Sequence, residues 1–159
     1  MPATAMRSKR CGAPTSIPPM EDGVSFAQLD LNGGRFQSLR RELGVTTFGL
    51  NLLLLQPGQR GRIHRHEHQE EVYLVLDGEL SLYVEGEEHV LSQGALARVA
   101  PSVRRQLVNR RPRRVVLLAL GGATSHEGRD GVAFASWDAT EGAPPQEIPV
   151  PDDVPVEAA

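Results

Sequence analysis

The sequence holds one cysteine, Cys11, and one tryptophan, Trp137, and only 4% of its residues are aromatic. A single cysteine excludes an intrachain disulfide and suits a reducing compartment. The apolar runs, residues 52–55 among them, fall far short of the roughly 20 apolar residues that span a bilayer. The opening MPATAMRSKRCGAP has three basic residues with no apolar stretch behind them, so it does not read as a secretory signal. A cytoplasmic protein that makes no membrane contact is the expectation.

Basic residues are missing from 138–159, where acids and prolines accumulate. That composition predicts an extended acidic arm, either disordered or laid across a surface. Arginine is instead crowded between residues 104 and 114: Arg104, Arg105, Arg110, Arg111, Arg113 and Arg114. Such density invites a nucleic-acid reading, but no aromatic residue accompanies it for base stacking, and the formal net charge is -3. The acidic arm is the better electrostatic partner, and no nucleic-acid binding is expected.

What is present suits one all-β domain. At 159 residues the chain can build a real core, and 16 glycines with 12 prolines supply many turns. Residues 1–22 show neither a strand nor a helix period and read as a flexible leader in which Cys11 is a solvent-facing thiol. Residues 24–31 alternate like a strand, Asn32-Gly33-Gly34 reads as a turn, and 36–43 as a short helical or irregular piece carrying Arg40 and Arg41, which reach solvent or an acidic group. Residues 46–56 predict a strand with leucine on both faces, Leu50, Leu52 and Leu54 against Leu53 and Leu55. Both faces therefore need cover, from another sheet or from a partner subunit. Phe134 and Trp137 form a small apolar anchor expected to dock on the barrel or on a second subunit. The segmentation is a leader over 1–22, a barrel over 23–121, and an extension over 122–159 docked around that anchor.

The chemistry concentrates in residues 58–78, GQRGRIHRHEHQEEVYLVLDG. His64 and His66, two apart on a strand, point to the same side. A turn follows, and a hairpin returns Glu71 beside them, with Tyr73 and Val75 on the same face. Glu70 competes for the carboxylate role, but it lies in the turn or on the opposite face. Asp77-Gly78 reads as a second hairpin turn. His68 sits in a turn with its direction free, and His89 and His126 read as surface histidines. Two imidazoles and a carboxylate so gathered form a plausible first shell for a divalent metal.

The spacing resembles the first signature of the cupin superfamily, small double-stranded β-helix (jelly-roll) barrels. Gly58, His64, His66, Glu71 and Gly78 match that signature, which asks for glycine, five residues, His-x-His, three or four residues, glutamate, six residues and glycine. The second signature starts at Gly94 and ends at Asn109 with the right spacing, but Ala100 and Ser102 stand where proline and glycine belong, and Arg105 stands where the family has its third histidine ligand. The resemblance covers about residues 45–121. It implies a metal such as Zn, Mn, Fe or Ni on His64, His66 and Glu71, and a small polar or anionic ligand or substrate. It also implies a homodimer.

Arg105 leaves two arrangements open. In one, His64, His66 and Glu71 form a facial triad with open positions for water or substrate, and Tyr73 donates a hydrogen bond into the pocket. In the other, no metal is held, and Arg105 pairs with Glu71 or binds the carboxylate or phosphate of a small ligand in a non-catalytic, sensing barrel. Neither arrangement decides whether the protein is an enzyme.

Overall fold

Alternating apolar residues in short segments broken by glycine and proline can bury their inward faces by stacking two sheets. The computed structural model describes residues 23–122 and 129–158 and shows this architecture, an all-β jelly roll. The expected leader over residues 1–22, with Cys11, and the expectation for His126 lie outside the described residues.

The strands are β1 (Phe36–Gln37), β2 (Gly49–Leu55), β3 (Ile63–His66), β4 (Glu70–Asp77), β5 (Glu79–Val84), β6 (Glu87–Ser92), β7 (Leu96–Val99), β8 (Arg105–Val108), β9 (Val115–Gly122) and β10 (Gly131–Phe134), with one short helix, α1 (Leu39–Leu43). One sheet runs in the order β1-β2-β9-β4-β7 and the other β10-β3-β8-β5-β6, with antiparallel pairing throughout. No described helix is long and apolar enough to cross a membrane.

The main core lies between the sheets. Leu55, Tyr73, Val75, Val115 and Leu117 from the first sheet meet Leu80, Leu82 and Leu107 from the second. A second cluster covers the outer face of the first sheet, where Leu52, Leu54 and Val116 pack with Leu39 of α1 and with Leu29. The two-faced leucine strand is thus confirmed, and its second cover over Leu52 and Leu54 is not another sheet. The chain folds its own segment before β2 over that face.

The same packing corrects residues 24–31. Residues 25–30 form no strand. Leu29 packs onto the outer cluster, and the Ser25 hydroxyl donates to the Leu43 carbonyl at the end of α1 (2.5 Å). Alternation supplied an apolar face, but the segment lies over a sheet instead of joining its ladder.

Two expected hairpins are also corrected. β3 and β4 lie in different sheets, as do β4 and β5, so the connections around His68 and Gly78 carry the chain across the sandwich. A hairpin closes instead at Glu85-Gly86, between β5 and β6, with both residues at positive φ.

The arm crosses the surface. The Val154 amide donates to the Gly58 carbonyl (2.8 Å) and the Glu157 amide to the Arg110 carbonyl (2.7 Å). The Glu157 carboxylate pairs with Arg111 (2.7 Å) and with Arg110, so the acidic arm does serve the crowded arginines.

Gly78 tests the crossing from β4 to β5. Its φ is +84°, and an added Cβ would lie 2.6 Å from the Arg114 carbonyl oxygen, whereas Gly94 shares that φ in open space. Gly94→Ala should cost about 1–2 kcal/mol for left-handed backbone alone, and Gly78→Ala clearly more, read from paired chemical denaturation curves.

Candidate metal centre and cavity

β3 presents His64 and His66 inward because alternate residues of a strand share a face. β8 lies beside it, with Arg105 paired in register with His64, and β4 faces both from the opposite sheet with Glu71 and Tyr73. Glu71 therefore meets the histidines across the sandwich. Its Oε2 lies 3.3 Å from His66 Nε2 and 3.7 Å from His64 Nε2. The ligand atoms of these three residues all fall within 4.8 Å of one another. On the other edge of β3, β10 places the small residues Gly131 opposite His66 and Ala133 opposite His64, and just before β10 the Asp130 carboxylate lies 3.7 Å from His66 Nδ1.

The same Oε2 accepts hydrogen bonds from the Tyr73 hydroxyl (2.5 Å) and from Arg105 Nη2 (2.8 Å). Arg105 is fully buried. Its Nη1 donates to the carbonyls of Pro101 (3.2 Å) and Val103 (3.0 Å), and its Nε to the Tyr73 oxygen (3.4 Å). All three of its nitrogens are therefore engaged by the protein itself. Burial pushes the Glu71 carboxyl up, but the contacts with His64 and His66 and the Arg105 charge outweigh it, and the group is held well below the usual range. Burial raises the Tyr73 phenol well above its ordinary value, and the Glu71 charge adds to this, so Tyr73 is a neutral donor.

The imidazoles suit a metal in a way the distances alone do not show. A carbonyl only accepts, so His64 Nδ1 donates to the Arg62 carbonyl (3.1 Å), which leaves Nε2 of the neutral ring with a lone pair facing Glu71. Both ring nitrogens of His66 are buried without a hydrogen-bond partner. The 3.3 Å approach of its Nε2 to Glu71 is thus an electrostatic contact, not an aligned bond. Unpartnered imidazole nitrogens opposite a carboxylate are a donor set that fits a divalent cation.

His66 and Glu71 also line a cavity of about 670 Å³, whose wall includes Arg40, Arg41 and Arg129. Arg105 and Tyr73 are not among its lining residues. His68 turns away from the cluster, its Nδ1 lying 2.9 Å from Asp130 Oδ1. Glu70 points outward to Arg98, and Gln106 donates to the Gly61 carbonyl (2.8 Å). Asn109 is a buried pin, donating to the carbonyls of Leu55 (2.9 Å) and Arg113 (2.8 Å).

Sequence reasoning missed Asp130 and the arginines of the cavity. Asp130 accepts the backbone amides of His68 (2.9 Å) and Gln69 (2.7 Å) and so anchors the β3–β4 crossing. Its side chain is 1% exposed. Burial raises its carboxyl, and the two amides, with His68 and His66, pull it below its ordinary value. Asp130 stood in a polar, glycine-rich link with nothing nearby in sequence to mark it. Arg40 and Arg41 stood in a segment whose destination only the packing of α1 fixes.

A family model described as "Cupin domain" matches residues 51–121. No curated protein matches the chain. Similar solved structures include a cupin protein from Bacteroides fragilis, 21% identical with a TM-score of 0.59, covering 75% of this chain and 97% of that one. Another is described as a sugar phosphate isomerase from a cupin superfamily, from Silicibacter pomeroyi, at 23% identity and TM-score 0.58, covering 84% and 97%. A third is a Cupin 2 conserved barrel domain protein from Salinispora arenicola, at 23% and 0.52, covering 69% and 90%. At these identities the likeness is one of fold.

Glu71 and Asp130 both have depressed carboxyl pKa values, so each contributes stability above the unfolded value near pH 4 that is lost as pH falls through the folded one. Asp130→Asn should cost about 1–3 kcal/mol at neutral pH. It should also lose less stability than the wild type on going to about pH 3.5, read from urea denaturation at both pH values.

Proposed function

The chain belongs to the cupin superfamily, and from that premise we propose that it is a small-molecule-binding barrel that holds a divalent metal, Zn, Mn, Fe or Ni, on His64, His66 and Glu71. The observation that carries this reading is that His64 Nε2 and the unpartnered Nε2 of His66 face one carboxylate oxygen, Glu71 Oε2. Bound there, such an ion would supply a Lewis-acid or redox centre. The residues of the chain do the positioning. His64 is oriented by the Arg62 carbonyl, and Glu71 is fixed by Tyr73 and Arg105. The small residues of β10 leave room beside the imidazoles.

Arg105 takes no part in coordination, because a guanidinium has no lone pair to offer. It is a permanent counter-charge in the wall. Its donors are engaged by Glu71, Tyr73 and two carbonyls, so it does not reach a ligand in the cavity. It also shares Glu71 with the metal and repels it. An affinity below that of a three-histidine site is the physical consequence.

The untagged protein, loaded in turn with Fe(II), Mn(II), Ni(II) and Zn(II), should retain near-stoichiometric metal by elemental analysis, and His66→Ala should lose it. A wild type that stays near zero with all four ions would sink the reading. Arg105→His, checked for folding by circular dichroism, should tighten metal binding by about tenfold or more, which is ~1.4 kcal/mol. Unchanged affinity would show that the position does not face the ion.

A further inference from the structure

Almost every arginine in the described residues has its side chain engaged. Arg35, Arg60, Arg62 and Arg114 donate to backbone carbonyls. Arg65, Arg98, Arg104, Arg110, Arg111 and Arg113 pair with carboxylates, and Arg105 with Glu71. Among the described residues, the arginines whose side chains make no hydrogen bond or ion pair are Arg40, Arg41 and Arg129, and all three line the cavity that ends at His66 and Glu71. Chance placement does not favour collecting every unpaired guanidinium of the described residues around one cavity.

The Arg40 Nε is moreover buried without a partner. An orphaned donor of this kind costs about 1–3 kcal/mol, more when the group is charged. The last turn of α1 favours cations near its carbonyl ends, which accounts for where Arg40 and Arg41 stand in sequence. It accounts neither for the buried Nε nor for Arg129, which arrives from the other side of the chain just before β10. The acids on the same wall do not answer these charges. Asp130 is occupied by two backbone amides and His68, and Glu71 by Arg105 and Tyr73.

We propose that the cavity takes a ligand bearing a phosphate or carboxylate group, which docks on Arg40, Arg41 and Arg129, while its polar body lies along Ser38, Asn51 and Gln146 towards the His66–Glu71 end. This deepens the reading of the barrel as a small-molecule site and rests on it. Forked guanidinium donors match planar and tetrahedral oxyanions, and about 670 Å³ is ample for a metabolite-sized molecule. The neutral amides and hydroxyl between the two ends suit hydroxyl or carbonyl groups on the ligand.

Isothermal titration of inorganic phosphate, and separately of succinate, into the full-length protein tests this, both as purified and after chelator treatment. The variants are Arg40→Gln/Arg129→Gln and, as a control, Arg113→Gln, which lies outside the cavity. At least one anion should bind the wild type saturably, weaken by about tenfold or more in the double variant (~1.4 kcal/mol), and bind the control as it binds the wild type. Phosphate alone assigns a phosphoryl ligand, and succinate alone a carboxylate. No binding of either anion, equal binding to the double variant, or equal loss in the control overturns the proposal. Metal content measured on the same samples separates the two readings. Arginine-dependent anion binding without metal would refute the metal centre alone, and metal retention without anion binding would refute this inference alone.

Discussion

One carboxylate oxygen, Glu71 Oε2, sets the terms for the interior. It receives a guanidinium and a phenol and faces two imidazoles, at a depth where an unpaired charge would cost several kcal/mol. Arg105 has no access to water at all, so its charge is tolerable only while Glu71, Tyr73 and the carbonyls of Pro101 and Val103 stay in place. Those groups come from β4 and from the turn before β8, whose first residue is Arg105 itself. The electrostatics and the stacking of the two sheets therefore hold one another in position: moving either sheet by an ångström would strand a buried ion.

The fold meets that constraint through crossings, with the ligand-bearing strands in opposite sheets. Had β3 and β4 paired as neighbours, His64, His66 and Glu71 would lie along one surface, and a ligand would approach from a single open side. Placed in facing sheets, they meet in the interior, with the core of Tyr73, Val75 and Leu117 below and the cavity above. Asp130 makes the crossing after β3 possible by capping the amides of His68 and Gln69, donors that a ladder between β3 and β4 would otherwise have used.

The strands themselves were legible in the sequence because alternation is a local property. The inward facing of His64, His66, Glu71 and Tyr73 and the doubly covered β2 follow from a period of two. Which strand pairs with which is not local. Asp77-Gly78 has hairpin chemistry, and the Gly78 φ of +84° fits a tight turn, yet the same conformation serves a corner between sheets. Residues 24–31 failed for a related reason, since an apolar face packs equally well over a sheet as within one. Asp130 and the cavity arginines were invisible because their partners or neighbours lie far away in sequence. Arg105 was visible only as a departure from a pattern, and whether it faced inward needed the register with His64.

Arginine at the third-histidine position changes more than the ligand count. It leaves three protein donors on one side of the candidate metal and places a fixed positive charge against the carboxylate that completes them. A divalent ion would then enter a wall whose two nearby carboxylates, Glu71 and Asp130, are already engaged, in a cavity also lined by three unpaired guanidinium groups. The guanidinium groups of Arg105 and of the cavity oppose added positive charge, which the Glu71 and Asp130 carboxylates and the imidazole lone pairs favour. An anionic group at the opening reverses that balance, because it neutralises the arginines and lowers the field felt by the ion. Coupling of this kind is reciprocal, so the ion must strengthen the anion to the same degree. If both proposed ligands bind, a barrel with arginine here would have a metal affinity that depends on its anionic ligand, whereas a third histidine would let the metal bind with less regard to what fills the cavity.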